Sequence, residues 1–168
     1  MRRSIIFAIP VLGLGVMIQT SIIGRIYLLN GAADLVMLIL AAWSLQERVR
    51  NAWIWGAMAG LLVGFVSGIP WYVYLIGYLV VVGMARLMAH LVWQAPLLAM
   101  FTVTLSGTLV LQILTYLDRS LFNVSMALNL SFVQIILPSI LLNLLLAIPV
   151  HALISEFANR IFPATVVT

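Results

Sequence analysis

Apolar stretches of membrane-spanning length follow one another along almost the entire chain. Because a hydrocarbon layer of about 30 Å takes roughly 20 apolar residues per helix, a chain of 168 residues has room for five or six such helices and little else. Only 7% of the residues are charged, against about 25% in an ordinary soluble domain. We therefore predict an all-α integral membrane protein, a bundle that forms a single transmembrane domain over residues 1–168.

Six helical spans are predicted, separated by short loops. In chain order they are expected at residues 4–23, 32–45, 52–66, 71–90, 96–117 and 130–157. The second and third are shorter than a full span, so we expect them to tilt against neighbours or to lie partly at the interface, and a five-span arrangement stays open. The first apolar run ends without a small-x-small cleavage site, which favours an uncleaved first helix over a signal peptide.

The distribution of basic residues predicts the orientation in the membrane. With the N-terminus in the cytoplasm, six arginines fall on the cytoplasmic side and two on the outer side. The inner six are Arg2, Arg3, Arg48, Arg50, Arg86 and Arg160, and the outer two are Arg25 and Arg119. The excess of arginine inside favours cytoplasmic termini, as an even number of spans does. Basic residues scattered in this way form no patch for nucleic acid, so no nucleic-acid partner is expected.

Four glycines recur at every fourth position of the third span. They are Gly56, Gly60, Gly64 and Gly68. Spacing of four keeps glycines near one side of a helix, where a second backbone can approach closely. Packing within the chain is favoured over a face that binds another protein, and both interpretations stay open. Gly68 is followed by Ile69 and Pro70, and this combination predicts the end of the third helix.

The sixth span combines two prolines with polar residues on one face. Pro138 and Pro149 each remove a backbone hydrogen bond and bend the helix. The shared face comprises Ser139, Asn143, Ala147 and His151. Asn143 in apolar surroundings needs a partner, and a bond to another helix, worth roughly 0.6–2 kcal/mol, is favoured over a substrate contact. Gln112 in the fifth span could line a polar pocket with Asn143 or join helices, and the second role is favoured.

Ionisable residues are few and stand near the predicted ends of the spans. The acids are Asp34, Glu47, Asp118 and Glu156, the histidines are His90 and His151, and cysteine is absent. Neither converging carboxylates nor a metal-ligand pattern is seen, so no catalytic residue, cofactor or metal site is predicted. Asp34 opens the second helix, where a carboxylate suits the free N–H groups and the positive end of the dipole. Contact with a basic group of a partner protein is the alternative.

An ordered set of motifs resembles the MreD family of bacterial rod-shape proteins. An Asp opens the second span at 33–36, Trp43 lies late in the same span, and a glycine-stepped third span ends at 64–68. Leu75-Ile76-Gly77-Tyr78-Leu79 follows in the fourth span, and Pro138, Asn143 and Pro149 stand in the sixth. The resemblance covers about residues 5–160 and agrees with the length and the number of spans.

The chain departs from the family pattern at two positions. The family often has a proline before the opening acid, where this chain has Ala33. It often has an aspartate within the third-span motif, where this chain has Gly64. A functional role of that second acid therefore does not transfer to this protein.

The resemblance implies a non-enzymatic membrane component of the machinery that elongates the bacterial cell wall. MreD-like proteins are inner-membrane proteins that accompany MreC, a single-pass protein with a periplasmic coiled coil. The wider assembly includes the RodA glycosyltransferase, its transpeptidase partner and MreB filaments. The resemblance also implies a six-helix fold similar to the substrate-binding components of energy-coupling-factor transporters.

Two functions from different classes follow from these observations. The favoured one is a structural protein that binds MreC and helps to position peptidoglycan synthesis, in contact with membrane lipid. Its candidate partner or helix-packing residues are Asp34, Gly56, Gly60, Gly64, Gly68, Pro138, Asn143 and Pro149. The alternative is a vitamin-binding S component of an energy-coupling-factor transporter. Such components often carry an Ala-x-x-x-Ala motif in the first helix, but here Ala8 is followed four positions later by Leu12.

Overall fold

A computed structural model describes residues 2–21, 31–47, 49, 51–92, 94–121 and 132–161, with side chains from position 7 onward and, in the last range, from position 134. Within these ranges the chain forms six α-helices. They are α1 (Arg2–Ser21), α2 (Leu35–Ser44), α3 (Ala52–Val66), α4 (Trp71–Leu91), α5 (Pro96–Leu121) and α6 (Leu137–Ile161). A π-helical turn, Phe132–Ile136, leads directly into α6. The all-helical class predicted from the sequence is confirmed.

The helix bounds agree best with the sequence where a breaker residue marks the end. The bounds of α3 are those predicted, because Pro70 follows and α4 starts directly after it. α2 begins later than predicted, since Asp34 serves as its N-cap rather than as an internal residue. Pro138, which has no backbone N–H to donate, lies where the π-helical turn passes into α6.

Three helical segments are long and apolar enough to cross a membrane, which indicates a membrane protein. They are Trp71–Leu91, Pro96–Leu121 and Gln134–Ile161. The shorter apolar helices are Phe7–Ser21, Leu35–Ser44 and Ala52–Val66. The number of spans and their orientation are taken up with the proposed function. Arg25, Arg48 and Arg50, which contribute to the predicted orientation, lie outside the described residues, as do the side chains of Arg2 and Arg3.

The short α2 lies at the centre of the bundle. It contacts each of the other five described helices, and all ten of its residues are buried. A helix with no polar face is stable only when it is surrounded by other apolar groups. Ten residues extend about 15 Å, roughly half of a hydrocarbon layer. Both ends of α2 therefore lie inside the bundle, and their backbone groups depend on other helices for hydrogen bonds.

Three of the stepped glycines let α3 and α4 approach each other closely. A Cβ atom added at Gly60 would lie 2.6 Å from the Cα of Leu75, and one added at Gly64 would lie 2.6 Å from the Cα of Trp71. At Gly56 the nearest atom is Cγ2 of Val82, at 2.9 Å. This face packs within the chain, which is the internal alternative of the sequence analysis. Gly68 lies beyond α3, and a Cβ added there would meet nothing within 4 Å.

Aromatic stacking and an arginine hold the C-terminal end of α2. The rings of Trp43 and Trp55 stack with centroids 4.3 Å apart, and both side chains are fully buried. From α4, Arg86 donates hydrogen bonds to the carbonyl oxygens of Ser44 at 3.4 Å and Gln46 at 3.2 Å. A cation at this position satisfies free carbonyl groups and suits the negative end of the helix dipole.

Replacing Arg86 with methionine is expected to lower the free energy of unfolding by about 1–2 kcal/mol, because the two carbonyl groups lose a charged donor. Arg160→Met is the matched control. Arg160 pairs with Glu156 one turn away on α6, where the two side chains are 77% and 61% exposed, and such pairs contribute about 0.5 kcal/mol or less. Reversible unfolding in mixed micelles measures both. Equal effects of the two substitutions would show that Arg86 does not stabilise this helix end.

Candidate functional site

Asp34 caps the N-terminal end of α2 and is held by a tyrosine from α4. Its Oδ1 accepts the backbone N–H of Met37 at 2.9 Å. The hydroxyl of Tyr78 donates to the same carboxylate, 2.8 Å from Oδ1 and 2.9 Å from Oδ2. The predicted capping role of Asp34 is confirmed. Because Tyr78 is fully buried, its hydroxyl needs a hydrogen-bond partner inside the bundle, and Asp34 provides it.

Asn143 connects α2 to α5 and α6. Its Oδ1 accepts the backbone N–H of Asp34 at 2.8 Å, and its Nδ2 donates to Oγ1 of Thr108 at 2.9 Å. The Thr108 hydroxyl in turn donates to the carbonyl oxygen of Thr104, at 2.7 Å. The predicted helix-to-helix role of Asn143 is therefore observed, with partners on both sides of the amide.

Two more side chains satisfy backbone N–H groups around the start of α2. Oγ of Ser139 on α6 accepts from Ala32 at 3.2 Å, and Oε1 of Gln19 on α1 accepts from Val36 at 3.0 Å. The segment before the helix also lies close to α6, since a Cβ added at Gly31 would be 2.7 Å from Cβ of Pro138. The free donors of a helix start are thus satisfied by side chains from several helices, as burial requires.

A cavity of about 360 Å³ opens beside this N-terminal end. We call it the Asp34 cavity. It is lined by residues of α1, α2, α4, α5, α6 and the adjoining segments: Gln19, Ala32, Ala33, Asp34, Met37, Ile69, Tyr74, Thr108, Leu111, Gln112, Thr115, Tyr116, Arg119, Ile135, Ile136, Ser139 and Asn143. One side of α5 from Thr108 to Arg119 forms a wall, because those lining residues recur at helical spacing.

A second cavity, of about 220 Å³, lies at the opposite end of α2. Its lining includes Leu45, Gln46, Glu47 and Val49, which follow the helix, together with residues of α4, α5 and α6. A half-length helix at the centre of a bundle leaves space beyond each of its ends. Non-helical backbone at membrane depth is tolerated where it is buried in protein or lines a cavity, and both ends of α2 meet that condition.

The described residues that line the Asp34 cavity include one acid and one base. Asp34 and Arg119 both line it, and each side chain is only partly buried. Arg119 forms no ion pair within the described part of the chain, and the neighbouring Asp118 accepts a hydrogen bond from Tyr72 on α4 instead. No three of His, Cys, Asp and Glu come together among the described residues in a way that could hold a metal ion.

The residues predicted from the sequence divide into an interior group and an exposed pair. Asp34, Pro138 and Asn143 meet at the start of α2. Gly56, Gly60 and Gly64 lie apart from them, between α3 and α4. Pro149 and Gly68 are both exposed. Of the candidates, Gly68 and Pro149 are thus the exposed ones, while Asp34 and Gly64 are partly buried.

Sequence reasoning did not identify the partner of Asp34 or the base of the cavity. Tyr78 lies 44 positions from Asp34, and no spacing rule connects positions so far apart. Arg119 was considered only as an outer-loop charge, although Thr108, Gln112, Thr115 and Arg119 share helical spacing. That spacing, together with the polar pocket that Gln112 and Asn143 could line, is the signal in the sequence for the cavity wall.

Searches against protein-family models, curated proteins and solved structures found no match.

Proposed function

We propose that this chain is a non-enzymatic membrane component of the bacterial rod-shape complex, which binds MreC and helps to position peptidoglycan synthesis. The observation that supports the proposal is the meeting of three motif residues of the MreD resemblance. Asp34, Tyr78 and Asn143 come from three different spans and form one hydrogen-bonded network around the start of α2. Motif residues that lie far apart in the sequence thus stabilise the same part of the bundle.

A fixed bundle suits a protein that acts by binding rather than by turnover. The network joins α2, α4, α5 and α6, and the glycine contacts bring α3 and α4 together. These contacts fix the bundle when the chain folds. Less conformational entropy is then lost when a partner binds to its surface. The proposed protein has six spans, lies in the inner membrane and has both termini in the cytoplasm, as the arginine distribution favours.

The proposed contact with MreC lies on the outer surface of the bundle. Asp34, Asn143 and Gly60 are occupied by contacts within the chain. Of the candidate residues, Gly68 and Pro149 are exposed. A single-pass helix in the membrane can pack against such a surface through van der Waals contacts and small residues. RodA, its transpeptidase partner and MreB belong to the wider proposed assembly.

Native mass spectrometry of the tagged protein, extracted gently from its own membranes, tests this proposal. We expect MreC to be released from the complex at a fixed stoichiometry. The Gly60→Leu variant tests whether MreC needs the folded bundle, since it should lose MreC together with the α3–α4 contact. Absence of MreC from the wild-type sample would contradict the proposal, whereas equal retention by both proteins would count only against a role of the face that contains Gly60.

A second candidate function is a vitamin-binding component of an energy-coupling-factor transporter. The Asp34 cavity is the observation that favours it, because a cavity of about 360 Å³ falls within the range of about 300–1,000 Å³ for small-molecule sites. Gln112 and Asn143 both line the cavity, although Asn143 is already bonded to Asp34 and Thr108. The same mass spectrum distinguishes the two functions, since a transporter component would carry a vitamin, two ATPases and a second membrane subunit.

A further inference from the structure

We infer that the Asp34 cavity binds a small dipolar molecule, which presents a cationic nitrogen to Asp34 and an acidic group to Arg119. The inference goes beyond the rod-shape proposal and does not depend on it. It rests on the size of the cavity, on the placement of its two charges and on the polar groups between them.

The size of the cavity exceeds what one or two bound waters need. A water molecule takes about 30 Å³ of liquid volume, whereas the cavity measures about 360 Å³. This volume is at the lower end of the range for small-molecule sites. The ligand is therefore small, with few branches in its carbon skeleton.

The carboxylate of Asp34 is the cation-binding end. It receives hydrogen bonds from Tyr78 and from the backbone N–H of Met37, but no basic side chain pairs with it in the described part of the chain. Each carboxylate oxygen can accept two hydrogen bonds. Among the hydrogen bonds of the described residues, Oδ2 accepts one from Tyr78, so it retains capacity. A carboxylate removed from water is stabilised most by a cation, and the cavity gives a ligand access to it.

Arg119 is the anion-binding end. Its guanidinium carries five N–H donors and binds carboxylate or phosphate in a two-pronged arrangement. Asp118, the nearest acid in the chain, is bonded to Tyr72, so it does not occupy Arg119. Arg119 and Asp34 thus line one cavity as opposite charges without being paired to each other.

The distance between the charges of Asp34 and Arg119 can be estimated along α5. Asn143 bonds both Asp34 and Thr108, so Thr108 marks the level of Asp34 on α5. Arg119 stands eleven residues further along α5, which corresponds to a rise of about 16 Å. The two charges are closer than this rise when the side chain of Arg119 folds back toward the cavity. The ligand is therefore extended, with its two charged groups at opposite ends.

The wall between the two ends combines polar and apolar groups. Gln112 and Thr115 line it from α5 and form no hydrogen bond to another described side chain, so they can bond a polar group along the ligand. Leu111, Ile135 and Ile136 supply apolar surface for its carbon skeleton. Such a wall, with a few polar groups among apolar ones, is typical of small-molecule sites.

Thermal unfolding of the full chain in nanodiscs, followed by tryptophan fluorescence, tests the inference with γ-aminobutyrate, ε-aminocaproate and ω-aminocaprylate as probes. These amino acids carry an amine and a carboxylate at opposite ends of chains of increasing length. We expect a saturable rise in unfolding temperature that grows with chain length, because a ligand that binds only the folded state stabilises it. Caproate and hexylamine, which each lack one charge, should bind at least tenfold more weakly.

Two variants localise the effect, and one serves as control. Arg119→Gln and Gln112→Leu should each raise the ligand concentration at half-saturation by about tenfold, the usual consequence of losing a charged or buried hydrogen bond. Thr102→Val should not change it, because Thr102 is exposed on α5 and bonds only to the carbonyl oxygen of Leu98. If a variant fails to fold, the comparison of the amino acids with caproate and hexylamine on the wild-type protein still tests the inference.

Three results would overturn the inference. They are the absence of a saturable shift with every amino acid, equal shifts with the single-charge analogues, and equal binding by the wild-type, Arg119→Gln and Gln112→Leu proteins. The first would show that the cavity binds no such molecule, the second that binding does not need both charges, and the third that the amino acids bind elsewhere. None of them bears on whether MreC accompanies the protein, so failure here is distinguishable from failure of the proposed function.

Discussion

Replacing Gly60 with leucine is expected to lower the free energy of unfolding by about 3 kcal/mol or more, the upper part of the range for overpacked cores. The reason is that the added Cβ would lie 2.6 Å from the Cα and 3.0 Å from the backbone nitrogen of Leu75. Backbone atoms of a helix cannot turn aside as a flexible side chain can. The two helices must separate, and the contact that substitutes for hydrophobic attraction between helices in lipid is lost.

Gly68→Leu is the matched control for Gly60→Leu, because the same change is made where a new Cβ meets nothing within 4 Å. We expect its effect on unfolding to stay within about 0.5 kcal/mol, as for other surface substitutions. Gly60→Ala should give an intermediate loss. Unfolding in mixed micelles, with the helical signal as readout, measures all three. Similar losses at positions 60 and 68 would show that the α3–α4 contact does not depend on the glycine at 60.

The sequence predicted the helices because their apolar length and their breaker residues are local properties. Pro70 marks the boundary between α3 and α4, and Asp34 marks the start of α2. The central position of α2 was not predicted. Its short length was attributed to tilt or to the membrane interface, whereas the structure surrounds it with five helices. The absence of any charged residue in Leu35–Ser44 is the local property that agrees with this burial.

The candidate site was predicted in part, for a related physical reason. The capping role of Asp34 depends on the next three residues of the same helix, so the sequence contains the necessary information. The need of Asn143 for a partner was also evident, since an amide among apolar residues has few alternatives. The identity of each partner depends on how helices are arranged in space. Tyr78, Thr108 and Arg119 therefore became visible only in the structure.

Replacing Tyr78 with phenylalanine is expected to lower the free energy of unfolding by about 1.5–3 kcal/mol, the usual contribution of a hydrogen bond to a charged group. The phenol donates to both oxygens of Asp34, and phenylalanine keeps the ring while removing the donor. The carboxylate of Asp34 would lose its only donor from another described helix. Tyr116→Phe is the matched control, since Tyr116 lines the same cavity but bonds no carboxylate, and its effect should be near zero.

A double-mutant cycle separates the charge of Asp34 from its shape. Asp34→Asn removes the charge and keeps an oxygen that can accept from the Met37 N–H, since asparagine and aspartate cap helices about equally well. In that background Tyr78→Phe should cost only about 1 kcal/mol, because a neutral amide loses less than a carboxylate when a donor is removed. The coupling energy would then be about 1 kcal/mol or more. If Tyr78→Phe lowers the free energy of unfolding equally in both backgrounds, the hydroxyl of Tyr78 does not stabilise the carboxylate at the N-terminal end of α2. Tyr78 would then stabilise the bundle only through the packing of its ring.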